Sequence, residues 1–322
     1  MFASELILRF LNLLFIINIL FAFAVVFLER KNPASTWTWL MVLLFLPSIG
    51  FILYLFLGQN LKRKKLFSLK KEEKENLTLI INKQKDFLSN AALIKTNPFL
   101  SKYSDVMKLN LCSDNSFYTN NNNVTIFTDG KSKFDQLKKN LEDAKIFIHM
   151  EYYIFQNDNL GGTILEILCR KAKEGVEVKL LYDGMGCLKV HKKFFAPLIK
   201  SGGKVSCFFP PFLPYINLRV NFRNHRKICT IDGKYGYIGG FNIGDEYLGL
   251  SKKFGFWRDT HLFIQGDALD ALQLHFLMDW RFASKENSVF DDKYFPHRPH
   301  LGKTGLQIVS SGPDSTWNSI KN

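Results

Sequence analysis

Residues 224–242, NHRKICTIDGKYGYIGGFN, hold several side chains that can act on a phosphate ester. His225, Lys227 and Asp232 lie within eight positions, and Asn242 follows shortly after a pair of glycines. An imidazole can attack as a nucleophile or transfer a proton near neutral pH. A lysine is a point charge suited to a phosphate oxygen, and an amide can donate to another oxygen. The residue types therefore indicate chemistry on phosphate.

The spacing of these residues predicts a β-hairpin. HRKICTI and KYGYIGG have the composition of strands, and the Asp-Gly pair between them is a strong signal for a two-residue turn. Side chains alternate along a strand, so His225 and Lys227 are expected on one face. The turn would return three residues beside them: Gly239, Gly240 and Asn242. The glycines would leave room for a ligand to approach the backbone. A lone His-x-Lys pair is more often structural, whereas the full pattern His-x-Lys-x4-Asp-x6-Gly-Gly-x-Asn is specific.

The composition limits the classes of partner. The chain of 322 residues carries a formal net charge of +14, with a pI near 9.4. This charge favours nucleic acid, acidic lipid headgroups or a phosphorylated substrate. The five cysteines are scattered without a CxxC pair, which argues against a disulfide framework and a structural zinc site. The histidines form no HExxH or HxH pair, so this arrangement requires no metal.

Two apolar segments near the N-terminus predict membrane-spanning helices at residues 6–28 and 37–57. Each holds about 20 residues with almost no charge, enough to cross the hydrocarbon core of a bilayer as a helix. A cleaved signal peptide is the alternative for the first segment, but no small-residue cleavage site follows its long apolar run. The basic cluster at residues 61–65 predicts that the rest of the chain faces the cytoplasm. Residues 58–115 are expected to form a basic linker with a helix near residues 70–90.

A change of pattern at Val124 predicts a separate folded domain, placed at residues 116–300. The strand-like segments VTIFTDG, KIFIHMEYYIF, VEVKLLYDG and KVSCFFP alternate with the helix-like segments KSKFDQLKKNLEDA, GGTILEILCRKAKEG and KKFFAPLIKSGG. This alternation is typical of an α/β domain with a mostly parallel mixed sheet and helices on both faces.

The hairpin motif resembles the HxKxxxxD signature of the phospholipase D superfamily, and the chain as a whole is similar to bacterial cardiolipin synthases. Four stretches carry this resemblance: STWTWLMVLLFLPSIGFILYLFLGQN, IHMEYYIFQND, VNFRNHRKICTIDG and GLQIVSSGPDS. The resemblance implies two N-terminal transmembrane helices followed by an α/β phospholipase D-like domain, with its motif at residues 220–247.

The resemblance also implies roles for single residues. His225, Lys227 and Asp232 would form the catalytic set, with His225 as nucleophile or acid–base group and Asp232 as a support for the motif. Lys227 and Asn242 would bind the substrate phosphate. The supporting residues would be Glu151, Gly239 and Gly240. For Glu151, an ordinary acidic residue at the end of a strand is an equal alternative.

The implied reaction transfers a phosphatidyl group between two phosphatidylglycerol molecules, giving cardiolipin and glycerol through a phosphatidyl-histidine. In that family, one motif from each half of the chain faces a shared active site. One histidine attacks phosphorus and the other protonates the leaving alcohol. The implied partner is anionic phospholipid in the bacterial plasma membrane, with the catalytic domain on the cytoplasmic side. No nucleic acid and no cofactor are implied.

The 322 residues contain one HxKxxxxD motif, which leaves the activity of this chain open. Residues 306–322 repeat the layout of residues 124–140, so residues 301–322 are expected to be the truncated start of a second phospholipase D-like domain. The second motif could come from another copy in a homodimer or from a separate chain. Two further hypotheses stay open: an inactive membrane remnant with half a site, and a single-motif homodimeric nuclease, which the positive charge would suit.

Overall fold

The computed structural model describes residues 33–46, 71–90, 98–210, 223–286 and 291–311, together with scattered positions between 5 and 54. The chain divides into two compact units. One consists of Met1–Lys64 with Phe212–Phe222, and the other of Lys65–Pro211 with Arg223–Asn322. All the residues of the predicted site belong to the second unit.

The prediction of two membrane-spanning helices is wrong for the described residues, in which no helix is both long enough and apolar enough to cross a membrane. Helix α1, Pro33–Phe45, overlaps the second predicted segment but has 13 residues. A helix needs about 20 residues to cross a bilayer. The greater part of residues 6–28 and 46–57 lies outside the described residues.

Two helices precede the sheet of the second unit. Helix α2, Lys71–Ser89, confirms the helix expected near residues 70–90, and helix α3 follows at Pro98–Asp114. They pack against each other through a small apolar cluster of buried side chains: Ile81, Leu88, Leu100, Met107 and Leu111. This pairing gives the predicted linker a folded core of its own.

The strands that the structure describes form two sheets. Short strands β1, Tyr118–Thr119, and β9, Leu306–Gln307, pair with each other antiparallel. The seven strands of the larger sheet are β2 Asn122–Asp129, β3 Phe147–Tyr152, β4 Glu177–Asp183, β5 Lys204–Phe208, β6 Lys227–Ile231, β7 Tyr235–Gly239 and β8 Arg258–Gly266. Their spatial order is β2-β8-β7-β6-β3-β4-β5.

The larger sheet is mixed, as predicted, but it is not mostly parallel. Within the described sheet, β3, β4 and β5 are parallel, whereas the other four pairings are antiparallel. The reason is the connections between strands. Helices join β3 to β4 and β4 to β5, whereas a tight turn joins β6 to β7 and can link only antiparallel neighbours. Strand β8, which the sequence analysis did not recognise, then returns antiparallel between β7 and β2.

Helices cover both faces of this sheet, as predicted. The longer helices are α4 Gly130–Glu142, α5 Asn159–Lys173 and α7 Ala268–Ser284, and the short helix α6 is Ala196–Lys200. Single 3-10 turns lie at Lys192–Phe195, Asp245–Leu248 and Asp292–Tyr294. Helices α4 and α5 begin at aspartate caps: Asp129 accepts from Ser132 N at 2.8 Å and Asp158 from Gly161 N at 3.0 Å. Such caps satisfy backbone donors that have no partner inside a helix.

The two faces of the sheet carry separate cores. Tyr152 and Cys229 lie in the larger cluster with residues of α4 and α5, whereas Ile228 lies in a second cluster with Leu269 and Leu272 of α7. Because side chains alternate along a strand, this assignment also determines the face of their neighbours. Glu151 therefore lies on the α7 face, and Lys227 lies on the face of α4 and α5.

The described end of the chain returns to the start of the domain. Beyond the β1–β9 pair, Thr304 N donates to Asn122 O at 3.1 Å. The expected strand of a second domain copy is thus limited here to Leu306–Gln307. Its expected turn and helix, residues 312–322, lie outside the described residues, so the second copy stays a prediction.

We predict that Asn122→Ala destabilises the domain. The fully buried Asn122 side chain accepts from Ala268 N at 2.8 Å, at the start of α7, and donates to Thr119 Oγ1 and Thr304 O at 3.0 Å each. Its removal leaves buried polar groups without partners, and the expected loss in unfolding free energy is about 2–4 kcal/mol. Denaturant unfolding measures this, with the exposed neighbour changed in Asn123→Ala as control. Equal stability of the two variants would contradict the role of Asn122.

Candidate active site

The structure brings His225 and Lys227 into direct contact. Lys227 Nζ lies 3.1 Å from His225 Nδ1 and donates to His225 O at 2.7 Å. Strand β6 begins at Lys227, so His225 lies just before the strand rather than within it as predicted. The lysine reaches back to the histidine, and the two still form a pair. Lys227 is buried, whereas His225 is exposed and accessible to a substrate.

The ring of Tyr153 forms one wall of this pair. Its centroid lies 4.5 Å from that of the His225 ring, with the planes tilted by 51°. Lys227 Nζ lies 5.0 Å from the Tyr153 centroid, within the range of a cation–π contact. Tyr153 directly follows β3, so the strand that pairs with β6 also delivers the ring that orients the histidine.

Burial and nearby charges set the protonation of the pair. Burial lowers the pKa of Lys227 to about 8, against the opposing effect of the Asp259 and Asp183 carboxylates. Burial and the charge of Lys227 lower the pKa of His225 below its usual 6.5, and the same two carboxylates oppose that shift. At pH 7 the lysine is therefore mostly charged and the imidazole mostly neutral. A neutral imidazole keeps the lone pair that a nucleophile or base requires.

The contact between the two side chains also selects a tautomer. A charged lysine has only donors, so His225 Nδ1 accepts and the neutral ring carries its proton on Nε2. Attack through Nε2 requires the other tautomer. The lysine must therefore exchange this acceptor for another, such as a phosphate oxygen, before Nε2 can react.

Asp183 holds the backbone beside His225. Its Oδ2 accepts from Asn224 N at 3.0 Å, and its Oδ1 accepts from Met185 N at 2.8 Å and Gly186 N at 3.0 Å. Asp183 is the last residue of β4, and the sequence analysis did not identify it. The available signal was its position at the carboxyl end of a parallel strand, where the ligands of α/β sheets bind.

Asp232 does not join the catalytic pair. It follows β6 at the end away from His225, and the five residues of that strand span about 16 Å. Its carboxylate accepts from three consecutive backbone amides: Lys145 N at 2.7 Å and Ile146 N and Phe147 N at 2.8 Å each. Asp232 and Gly233 both have positive φ, 53° and 61°, which confirms the predicted hairpin turn. The motif aspartate thus anchors the turn to the start of β3.

Contrary to the prediction, Gly239 and Gly240 do not leave space for a ligand. A methyl group on Gly239 would lie 2.4 Å from His261 Cα, and one on Gly240 would lie 2.0 Å from Asp259 Oδ1. These positions need glycine because β8 packs directly against them. Gly240 in particular lets the Asp259 carboxylate approach, and Asp259 influences both His225 and Lys227. Asp259 is a second site residue that the sequence analysis missed.

Asn242 lies next to the wall of the site. Its Oδ1 accepts from Ile154 N at 3.0 Å, and its Nδ2 donates to Tyr247 OH at 2.8 Å. Ile154 directly follows Tyr153, so this side chain fixes the backbone that carries the ring. A primary amide has two donor hydrogens, and the bond to Tyr247 uses one of them.

Glu151 lies on the opposite face of the sheet from His225 and Lys227. It is buried and accepts from Asn224 Nδ2, while Asp279 of α7 accepts from Asn224 Nδ2 at 3.0 Å and from Arg226. Burial, and then the adjacent Asp279, raise the pKa of Glu151 well above its usual value. A proton held between Glu151 Oε2 and Asp279 Oδ1 would satisfy two buried oxygens that otherwise lack a partner. This group fastens residues on either side of His225 to α7.

Within the described ranges, no three histidine, cysteine, aspartate or glutamate side chains are grouped so that they could hold a metal ion.

We predict that Asp232→Ala lowers the free energy of unfolding and that Asp232→Asn lowers it less. The alanine leaves three backbone amides without an acceptor, and its methyl group offers no local hydrogen bond to offset the positive φ. The expected loss in unfolding free energy is about 2–4 kcal/mol. Asparagine keeps one acceptor oxygen and tolerates this backbone region. Chemical denaturation would rank the variants, with the exposed Asp143→Ala as control. An Asp232→Ala protein as stable as that control would contradict the anchoring role.

Comparisons with known proteins agree with the motif. Residues 137–277 match a family described as cardiolipin synthase, phospholipase D-like domain, and residues 11–59 match one described as phospholipase D-nuclease N-terminal. Cardiolipin synthase of Staphylococcus aureus strain Mu50 is 50% identical over 308 residues, covering 95% of this chain and 62% of that protein. Cardiolipin synthase of Listeria monocytogenes serotype 4a is 48% identical over 313 residues, covering 97% and 65%. The chain thus spans about two-thirds or less of the length of these relatives.

A solved structure gives a weaker match. Nuc, a phospholipase D family member from Salmonella typhimurium, is 17% identical and covers 50% of this chain and 96% of its own, with a TM-score of 0.36. That score is too low to support a functional comparison. The sequence identity of 48–50% and the matched domain carry the assignment instead: this chain contains the phospholipase D-like domain described for cardiolipin synthases and is similar to those proteins over 95–97% of its own length.

Proposed function

We propose that the chain contributes a half-site to phosphatidyl transfer between two phosphatidylglycerol molecules, giving cardiolipin and glycerol. The observation that carries this proposal is the contact between the exposed His225 ring and the buried Lys227 ammonium, 3.1 Å from Nδ1 to Nζ. A neutral imidazole beside a fixed positive charge suits attack on the phosphorus of an anionic phosphodiester. Two relatives named cardiolipin synthase, at 48–50% identity, support this substrate class.

The first step exchanges the acceptor of Lys227. A phosphate oxygen replaces His225 Nδ1 as the hydrogen-bond acceptor of the Lys227 ammonium. The ring proton then moves from Nε2 to Nδ1, and the Nε2 lone pair attacks phosphorus. The Nε2–P bond forms as the bond from phosphorus to the glycerol oxygen breaks, and a general acid gives that oxygen its proton. The intermediate is a phosphatidyl-histidine.

The second step reverses these bond changes with a new alcohol. The free hydroxyl of a second phosphatidylglycerol attacks phosphorus, its proton returns to the group that acted as acid, and Nε2 leaves. One phosphodiester replaces another, so the exchange needs no nucleotide and no cofactor. Asp232 anchors the motif in this scheme, and Asn242 positions Tyr153 and offers its second amide hydrogen to the substrate phosphate.

The general acid would come from outside the His225–Lys227 pair. A second motif, supplied by another copy of the chain or by a separate chain, is the source that the family resemblance implies. The partner is then an anionic phospholipid at a bacterial membrane surface, and nucleic acid is not a substrate.

We predict that His225→Ala abolishes cardiolipin formation wherever the site is complete. Lys227→Ala should reduce it by about 10²–10³-fold, since the positive charge that stabilises the developing phosphorane is lost. The assay follows labelled phosphatidylglycerol in membranes that contain the full chain, with the exposed His297→Ala as control. A denaturing quench at neutral or alkaline pH, which preserves a histidine–phosphorus bond, should trap labelled lipid phosphate on the control protein and not on His225→Ala.

The same assay separates the remaining hypotheses. A chain that forms no cardiolipin and traps no label in any variant would be an inactive half-site. Recovery of activity when His225→Ala and Lys227→Ala chains are mixed would indicate a site shared between two copies. Full activity in His225→Ala would overturn the proposal.

We predict a bell-shaped pH dependence of kcat/KM, which reports groups of the free enzyme. Activity rises with pH as His225 loses its proton, below pH 6.5, and falls as Lys227 loses its proton near pH 8. Because the Asp259 carboxylate raises both pKa values, Asp259→Asn should move both limbs to lower pH. The exposed Asp143→Asn is the control. Limbs that stay in place in Asp259→Asn would contradict the electrostatic assignment.

A further inference from the structure

The loop between the 3-10 turn Asp245–Leu248 and strand β8 exposes an unusual group of large apolar side chains. Leu250 is 64% exposed, Phe254 48% and Phe256 74%. Water is a poor solvent for such side chains, and soluble surfaces seldom place several of them on one short turn. We call residues 249–257 the apolar loop.

The apolar loop has a defined conformation. Gly255 N donates to Ser251 O at 2.8 Å, and Gly249 and Gly255 have φ values of 75° and 61°. Trp257, partly buried, packs edge-to-face on Phe254 at 5.6 Å and on Tyr247 at 5.0 Å between ring centroids. The exposed rings therefore stand on a fixed turn, and little conformational entropy remains to be lost when they bind.

The charge of the apolar loop favours one kind of occupant. Lys252 and Lys253 are both exposed between Leu250 and Phe254, and Lys253 Nζ lies 5.1 Å from the Phe254 ring centroid. Lysine is depleted from the centres of protein–protein interfaces. Apolar and aromatic side chains combined with lysines are instead typical of segments that lie in the interface of an anionic membrane.

The apolar loop is also joined to the candidate active site. Tyr247, which contacts Trp257, accepts the hydrogen bond from Asn242 Nδ2. Phe256 precedes Asp259 by three residues, so their Cα atoms are at most about 11 Å apart. Asp259 in turn influences the protonation of His225 and Lys227.

We propose that the apolar loop docks on an anionic lipid surface, with Leu250, Phe254 and Phe256 inserted among the headgroups and upper acyl chains. Lys252 and Lys253 contact the lipid phosphates. The benefit of docking for catalysis rests on the proposed function: docking would bring the headgroup of a lipid that is still in the bilayer to His225. The placement of the loop itself rests on its exposure, charge and conformation.

The test attaches an environment-sensitive dye to Phe256→Cys in the full chain and adds vesicles of phosphatidylglycerol and phosphatidylcholine. Ile199→Cys is the matched control, because Ile199 is also an exposed apolar residue, at 57%, but precedes β5 at the edge of the sheet away from the site. The unsubstituted chain, treated with the same dye, corrects for labelling of the native cysteines. We expect a blue shift at position 256, and quenching by lipids with brominated acyl chains, with neither at position 199.

Two further comparisons identify the occupant. Vesicles of phosphatidylcholine alone should give a smaller shift at position 256, and so should Lys252→Ala with Lys253→Ala in mixed vesicles. Equal emission from positions 256 and 199 in mixed vesicles would overturn the proposal. So would a dye at position 256 that is already shielded without vesicles and unchanged by them, because a second copy or another protein would then cover the loop.

The dye measurement needs no turnover and is therefore independent of the proposed reaction. A chain that inserts position 256 but keeps full cardiolipin formation in His225→Ala would contradict the proposed function and support docking. A chain that makes cardiolipin while position 256 stays in water would do the reverse.

Discussion

The carboxylates of Asp183 and Asp232 hold the segment that contains β6 near its two ends, and the rest of the site depends on this restraint. Asp232 accepts three amide hydrogens at the turn, and Asp183 accepts the amide of Asn224 just before His225. Each carboxylate that accepts several backbone amides forms strong charge-assisted bonds. A short strand held in this way can present an exposed histidine without losing its position.

The burial of Lys227 has a cost that this restraint helps to offset. A charged lysine is poorly stabilised away from water, which is why its pKa falls to about 8. Its nearest acceptors in the described residues belong to His225, at 2.7 Å and 3.1 Å. An ammonium bound only to a carbonyl and an imidazole is prepared for a better acceptor. The phosphate of a substrate would supply one. The same burial that lowers the pKa of Lys227 therefore favours binding of an anion.

The hairpin and the alternation of strands and helices could be predicted because they follow from local patterns. An Asp-Gly pair between two apolar runs specifies its turn, and α4, α5 and β3–β5 follow the predicted segments. The prediction of a mostly parallel sheet was wrong because strand β8, RDTHLFIQG, begins with four polar residues and was not recognised as a strand. Asp259 was missed because no local pattern joins it to the motif. Asp183 ends the predicted strand VEVKLLYDG, but its bond to Asn224 N joins residues 41 positions apart, which the strand pattern alone does not reveal. Glu151 was placed with the site on resemblance, whereas the strand period puts it on the other face.

The motif residues contact different groups on the two faces of the sheet. Lys227 lies on the face of α4 and α5 and contacts the exposed His225, whereas Asn224 and Arg226 reach Asp279 of α7. A period of two therefore lets four consecutive residues, 224–227, both bind substrate and be held in place. On the α7 face, the buried Asp279 balances the charge of the partly exposed Arg226, and Glu151 can remain beside Asp279 only by keeping its proton. A substitution on the α7 face would thus change the position of His225 through the backbone, not through contact with substrate.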